Sequence, residues 1–258
     1  MNELANKRAL VLGVDAIGAG IAKRFARAGA ALALLGSDLA EAESAAQAIA
    51  AGGGRAFAGA TPIDGSTGTA IARAIEQLGG LDVLVVNVLP APVVAPLERL
   101  SAEVFATAFA RVQVAVAAMQ IALPHLRSAG GGRIILVGHR YGENVNEAIA
   151  AYNAAAWSLV GLTRSAAVDW GQYQIATNLL LPLADTPEFR ACQARRAKLL
   201  DLMTGQLPLG RVGDPVEDVG AAALFLASDA CNFVNGEVIH GDGGQHVAGP
   251  LLNPARFA

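Results

Sequence analysis

Seven short runs rich in leucine and β-branched residues alternate with longer alanine-rich segments of helical period along almost the whole chain. Runs such as Arg8–Leu12 (RALVL) and Arg133–Gly138 (RIILVG) are apolar nearly throughout rather than at every second place. A strand of that kind needs cover on both faces, which a parallel sheet between two helical layers provides. The alternation therefore predicts an α/β fold with a doubly wound, parallel, seven-stranded sheet and helices on both faces. Expected strands are Arg8–Leu12, Ala31–Leu35, Arg55–Gly59, Leu81–Val86, Arg133–Gly138, Ile175–Leu181 and Glu237–His240. Expected helices are Ile17–Ala28, Leu39–Ala51, Thr67–Leu78, Ala102–Arg127, Ala150–Gly171, Thr186–Gly205 and Pro215–Ala227. Gly52–Gly54 and Gly130–Gly132 each close a helix ahead of a strand, as glycines following a helix C-terminus do.

Nothing in the composition shifts part-way along the 258 residues, so residues 1–258 are read as one domain with a tail from about residue 245. Apolar residues make up 53% and charged ones 16%, with a mean hydropathy of +0.42, which implies a large core and further burial between subunits. A net charge of −3 without a basic stretch argues against nucleic acid. Apolar runs end short of the roughly 18 residues that cross a bilayer, and the N-terminus is polar, so a cytoplasmic protein with no membrane partner is expected. Cys192 and Cys231 have neither CxxC spacing nor metal-ligand neighbours and are read as reduced, buried thiols, with no metal site. His125, His240 and His246 are assigned no chemistry.

The C-terminal third carries LPLGRVGDP at Leu207–Pro215, LFLASD at Leu224–Asp229, NGE at Asn235–Glu237 and DGG at Asp242–Gly244. LDVLV at Leu81–Val85, LPHL at Leu123–Leu126 and Tyr152 fall at matching spacing. From about Asn6 to Gln245 the chain resembles the short-chain dehydrogenase/reductase family. The resemblance implies a single-domain, Rossmann-like fold, with ligands held beyond the carboxyl ends of the strands.

It also locates a site, and the residues there depart from the family pattern. The family's phosphate loop, TGxxxGxG, is matched by Leu12–Ala22 with one residue fewer, keeping Gly13 and Gly18 but placing Leu12 and Ala16 at a threonine and a glycine. Asp15 would set a carboxylate close to the two phosphate charges of a dinucleotide. The end of the second strand reads Gly36-Ser37 in place of an acid, and Asp38 is more simply a helix N-cap. An Asp-Val pair becomes Pro62-Ile63 with Asp64 beyond, and Asn-Asn-Ala-Gly becomes Val86-Asn87-Val88-Leu89. Gly13, Gly18 and Asn87 are thus vestigial cofactor-binding candidates. No cofactor is expected, or NAD(P) if the site still functions.

In the family a serine, a tyrosine thirteen residues later and a lysine four beyond it move the proton. Here those places hold His139, Tyr152 and Ala156. Lysine one helical turn from the tyrosine lowers the phenol pKa and grips the nicotinamide ribose, and alanine does neither. The family's further asparagine aligns with Arg111 or Val112, and Arg140 is read as pairing with Glu143. His139 and Tyr152 are the candidate catalytic residues.

These losses give the leading expectation of a non-catalytic pseudoenzyme acting as a structural or regulatory subunit of an oligomeric, heteromeric dehydrogenase such as a hydroxyacyl-CoA-type enzyme. Its partner would be itself or an active paralogue, in a tetramer built through the family's fifth and sixth helices and last strand, here Val112–Leu123, Tyr152–Val168 and Phe233–Ile239. The alternatives are a divergent NAD(P)-dependent oxidoreductase using Tyr152 with His139, a nucleotide-free lyase or isomerase, and a ligand sensor.

Overall fold

The computed structural model describes residues 2–61, 67–139, 148–195, 204–205 and 207–248. Its elements run β1 (Arg8–Leu12), α1 (Ala16–Arg27), β2 (Ala31–Gly36), α2 (Leu39–Ala51), β3 (Arg55–Ala60), α3 (Thr67–Leu78), β4 (Val83–Val86) and α4 (Ala102–Ser128). They continue with β5 (Gly132–Val137), α5 (Ala150–Trp170), β6 (Ile175–Pro182), α6 (Pro187–Arg195), α7 (Gly220–Ala227) and β7 (Val238–Gly241). One wide turn of π type, Pro215–Val219, leads into α7.

All seven strands pair in parallel, in the order β3-β2-β1-β4-β5-β6-β7. The two-residue period of a strand sends Ala9 and Val11 into one core with Phe25 of α1, Ile49 of α2 and Leu226 of α7. It sends Leu10 and Leu12 into a second core with Ile75 of α3, Met119 of α4 and Leu159 of α5. The sheet is thus buried on both sides, as the unbroken apolar runs require. The expected elements are present with ends moved by one or two residues, except that the described part of α6 stops at Arg195. By length and composition alone α4 could cross a membrane. Here one side of it instead packs into the second core. Cys231 is fully buried and unpaired, as expected, whereas the side chain of Cys192 lies outside the described residues.

Strand order reverses between β1 and β4, so the loops leaving these two strands diverge and open a crevice at their carboxyl ends. The opposite ends of the same strands are tied by charge. Arg8 Nε and its backbone N–H both donate to Asp82 Oδ2 at 2.8 Å, and a second guanidinium nitrogen reaches Oδ1 at 3.1 Å. Burial pushes the Asp82 carboxyl up, but the Arg8 hydrogen bonds and charge outweigh it and hold the group below its ordinary range. A carboxyl lowered by folding stabilises the protein above its unfolded pKa of about 3.9 and loses that contribution as pH falls through the lower folded value. Asp82→Asn should cost about 1–3 kcal/mol at neutral pH by chemical denaturation and flatten this part of the acid-unfolding profile.

Candidate active site

The turn from β1 into α1 is set by contact with the end of β4. Gly13 has φ +93°, and a Cβ there would lie 1.7 Å from the Asn87 carbonyl oxygen, so only glycine allows the two backbones to cross. A Cβ on Gly18 would lie 2.0 Å from the Gly13 carbonyl oxygen. The structure therefore brings Gly13, Gly18 and Asn87 together. It also gives Asp15 a role that spacing did not reveal. Its Oδ1 accepts from the N–H groups of Ile17 at 2.9 Å and Gly18 at 3.0 Å, capping α1. Asn87 Nδ2 donates to the same oxygen at 2.7 Å and to the Gly13 carbonyl at 3.2 Å.

Asp15 thus lies where a helix N-terminus favours an anion. The loop packed around the carboxylate pushes its pKa up, against the lowering by its three hydrogen bonds, and Glu188 adds to the rise. Asp38 caps α2 as expected, accepting from Ala40 N at 2.8 Å and Glu41 N at 3.4 Å. Burial, then the charges of Asp38, Asp15 and Glu188, raise the Glu41 carboxyl, so four acids share this end of the crevice. Pro62, Ile63 and Asp64 lie outside the described residues. The glycine crossing and the helix N-terminus suit the pyrophosphate of a dinucleotide in backbone terms, while Asp15 opposes its charge.

His139 follows β5 and Tyr152 lies in the first turn of α5, so both sit at the carboxyl edge. Their rings meet edge to face, with centroids 5.9 Å apart and planes at 74°. Tyr152 is buried in a cluster with Ile149 and Ala156, the alanine that stands where the family has lysine, and Leu89 packs against this cluster. A small cleft of about 180 Å³ adjoins Tyr152, lined by Pro90, Ala91 and Val93 after β4 and by Val104, Thr107 and Ala108 of α4, with Glu103 and Ala151 at its sides. Ala95 N–H donates to the Ala148 carbonyl at 2.8 Å, fixing the post-β4 loop to the start of α5. Val112 packs with Ala108, Ala151 and Ala155, while Arg111 is half-buried. Arg140 and Glu143, the expected ion pair, lie outside the described residues. A larger cleft of about 690 Å³, near Lys7, Gly131 and Asn232, is at the amino edge, away from where sheets of this class bind ligands.

A family model described as enoyl-(acyl carrier protein) reductase matches residues 13–246. The chain belongs to the short-chain dehydrogenase/reductase family. It is 35% identical over 246 residues to cis-4-hydroxycyclohexanecarboxylate dehydrogenase of Sinomonas cyclohexanicum, covering 93% of this chain and 96% of that protein. It is 30% identical over 245 residues to gluconate 5-dehydrogenase of Gluconobacter oxydans, covering 93% and 95%. A crystal structure of a gluconate 5-dehydrogenase from Burkholderia cenocepacia in complex with NADP and tartrate superposes with a TM-score of 0.87 at 27% identity, covering 96% of this chain and 98% of that one.

Short-chain dehydrogenase/reductase relatives of full length that are named as dehydrogenases overturn the expectation of a non-catalytic subunit within a heteromeric complex. The reason is physical: side chains at the site are replaced, but the glycine crossing, the helix N-terminus and the tyrosine on its helix persist in the backbone arrangement. Solved relatives at 27–30% identity hold NADP.

Asp15 generates a prediction. A carboxyl raised by folding favours the fold most at low pH, and that advantage fades as pH rises through the raised value. Asp15→Asn should keep the cap and flatten this pH dependence, whereas Asp15→Ala should cost about 1 kcal/mol in thermal or chemical denaturation.

Proposed function

We propose that the protein is a soluble, cytoplasmic NAD(P)-dependent oxidoreductase that interconverts a small alcohol and its carbonyl compound. The observation that carries this reading is the His139–Tyr152 pair, two proton-carrying rings in contact at the carboxyl edge beside a cleft, in a family whose full-length relatives are named dehydrogenases. Gly13, Gly18 and the N-terminus of α1 would hold the dinucleotide, with Asn87 fixing the loop. The nicotinamide supplies or accepts the hydride when bound.

The chain's own residues handle the proton. With alanine where the family has lysine, no cation one turn along α5 supports ionisation of the phenol, so Tyr152 is a poor base but a competent acid. In carbonyl reduction Tyr152 donates its phenolic proton to the oxygen as the carbon receives hydride, and the phenolate then recovers a proton from His139 or solvent. In alcohol oxidation the proton moves the other way, and a neutral imidazole, with a reference pKa of about 6.5, provides the acceptor that Tyr152 is not. Reduction should therefore run better than oxidation near neutral pH, and oxidation should quicken as pH rises toward the phenol pKa.

Asp15, Asp38, Glu41 and Glu188 disfavour the additional phosphate of NADPH, which supports NADH as the preferred form. The protein is further proposed to associate with itself through α4, α5 and the segment leading into β7, where Phe109, Trp157, Val168 and Phe233 are exposed. Sedimentation at micromolar concentration tests this, and a monomer would refute it.

Fluorescence titration should show NADH binding at least ten-fold tighter than NADPH, and no binding of either up to millimolar concentration would overturn the oxidoreductase reading. Tyr152→Phe should lower kcat for carbonyl reduction by about 10²–10⁴ while NADH affinity is unchanged. His139→Ala should slow oxidation more than reduction and remove the lower-pH limb of the oxidation profile.

A further inference from the structure

Arg111 stands out among the charged groups near the crevice. It lies on α4 three residues after Ala108 and four before Ala115, both buried, so the helical repeat places all three on the stripe that faces the protein interior. It is half-buried, and burial lowers its guanidinium from the ordinary range. It makes no hydrogen bond or ion pair among the described residues. Arginine held this way loses hydration without recovering it, and its planar fork matches a carboxylate in two parallel hydrogen bonds.

Its direction connects it to the cleft. A long helical side chain leans toward the helix N-terminus and covers the preceding turn. For Arg111 that turn holds Thr107 and Ala108, which line the cleft beside Tyr152. Glu103, the acid on that cleft, is eight residues back along α4, roughly 12 Å at 1.5 Å per residue, and exposed, so it leaves the guanidinium unneutralised. The dinucleotide phosphates are not the natural counter-ion. Their anchor is the N-terminus of α1, which packs on the other face of the sheet from α4.

We propose that Arg111 is the substrate-anchoring residue and that the substrate class is an alcohol or ketone bearing a carboxylate. This rests on the oxidoreductase reading for its chemistry, but the binding claim is separable from it. The carboxylate pairs with the guanidinium, and the reacting carbon–oxygen group then lies toward Tyr152. The cleft, at about 180 Å³, admits a small ring or short chain beside Tyr152, one helical turn before Arg111.

The test uses calorimetry with cyclohexanecarboxylate and its neutral isostere cyclohexanecarboxamide on the full chain saturated with NADH. The wild type should bind the carboxylate at least ten-fold more tightly. Arg111→Gln should erase that preference with NADH affinity unchanged, and Arg111→Lys, which keeps the charge but loses the fork, should retain part of it. Equal binding of the two probes by the wild type, binding of neither, or a preference that survives Arg111→Gln would overturn the proposal. If Arg111→Gln does not fold, Arg111→Lys decides: a three- to ten-fold loss confined to the carboxylate supports the pairing, and no loss refutes it. Turnover is read separately, as NADH oxidation with 4-oxocyclohexanecarboxylate and with cyclohexanone. No turnover of either ketone beside an intact carboxylate preference in binding would sink the redox reading alone. Equal turnover of both without such a preference would sink the Arg111 assignment alone.

Discussion

A parallel sheet buried on both faces must carry its chemistry at its edge, because its interior has no water and no room. Here the two cores on either side of β1 and β4 are filled mostly by leucine, valine, isoleucine and alanine down to the last residue of each strand, Leu12 and Val86. The polar groups of Asp15, Asn87, His139 and Tyr152 come together where the chain leaves the sheet. The reversal of strand order between β1 and β4 separates their outgoing loops, and the carboxyl end of β5 with the start of α5 forms the next wall of the opening.

Within that opening the closest constraint is the passage of Gly13 across the Asn87 carbonyl. It fixes the first turn of α1, presents the N–H groups of Ile17 and Gly18 in one direction, and brings the Asn87 amide to the Asp15 carboxylate. A cap so placed serves the helix and competes with any phosphate brought to the same N–H groups. Protonation would relieve that competition, which the raised pKa of Asp15 favours.

The proton-transfer side shows the converse. Alanine stands one turn beyond Tyr152 where the family has lysine, and Leu89 from the neighbouring loop packs against the cluster of Ile149, Tyr152 and Ala156. On the proposed reading alanine cannot help the phenol ionise, and base catalysis falls to His139.

The sequence by itself determined the layering, the number of strands and their boundaries to within a residue or two, because strand and helix periods and unbroken apolar runs are local properties. It also marked Tyr152, His139, Gly13, Gly18 and Asn87, since their spacing along the chain survives folding. What it could not show was the meaning of the replacements. Asp15 read as a repulsive charge is also a helix cap held by Asn87; Arg111 read as a lost asparagine is half-buried on the inward stripe of α4; and Leu89, one of the replaced loop residues, packs against the cluster that holds Tyr152. Each depends on atoms more than sixty residues apart, or on the face of a helix turned toward another, and only the tertiary structure sets those distances.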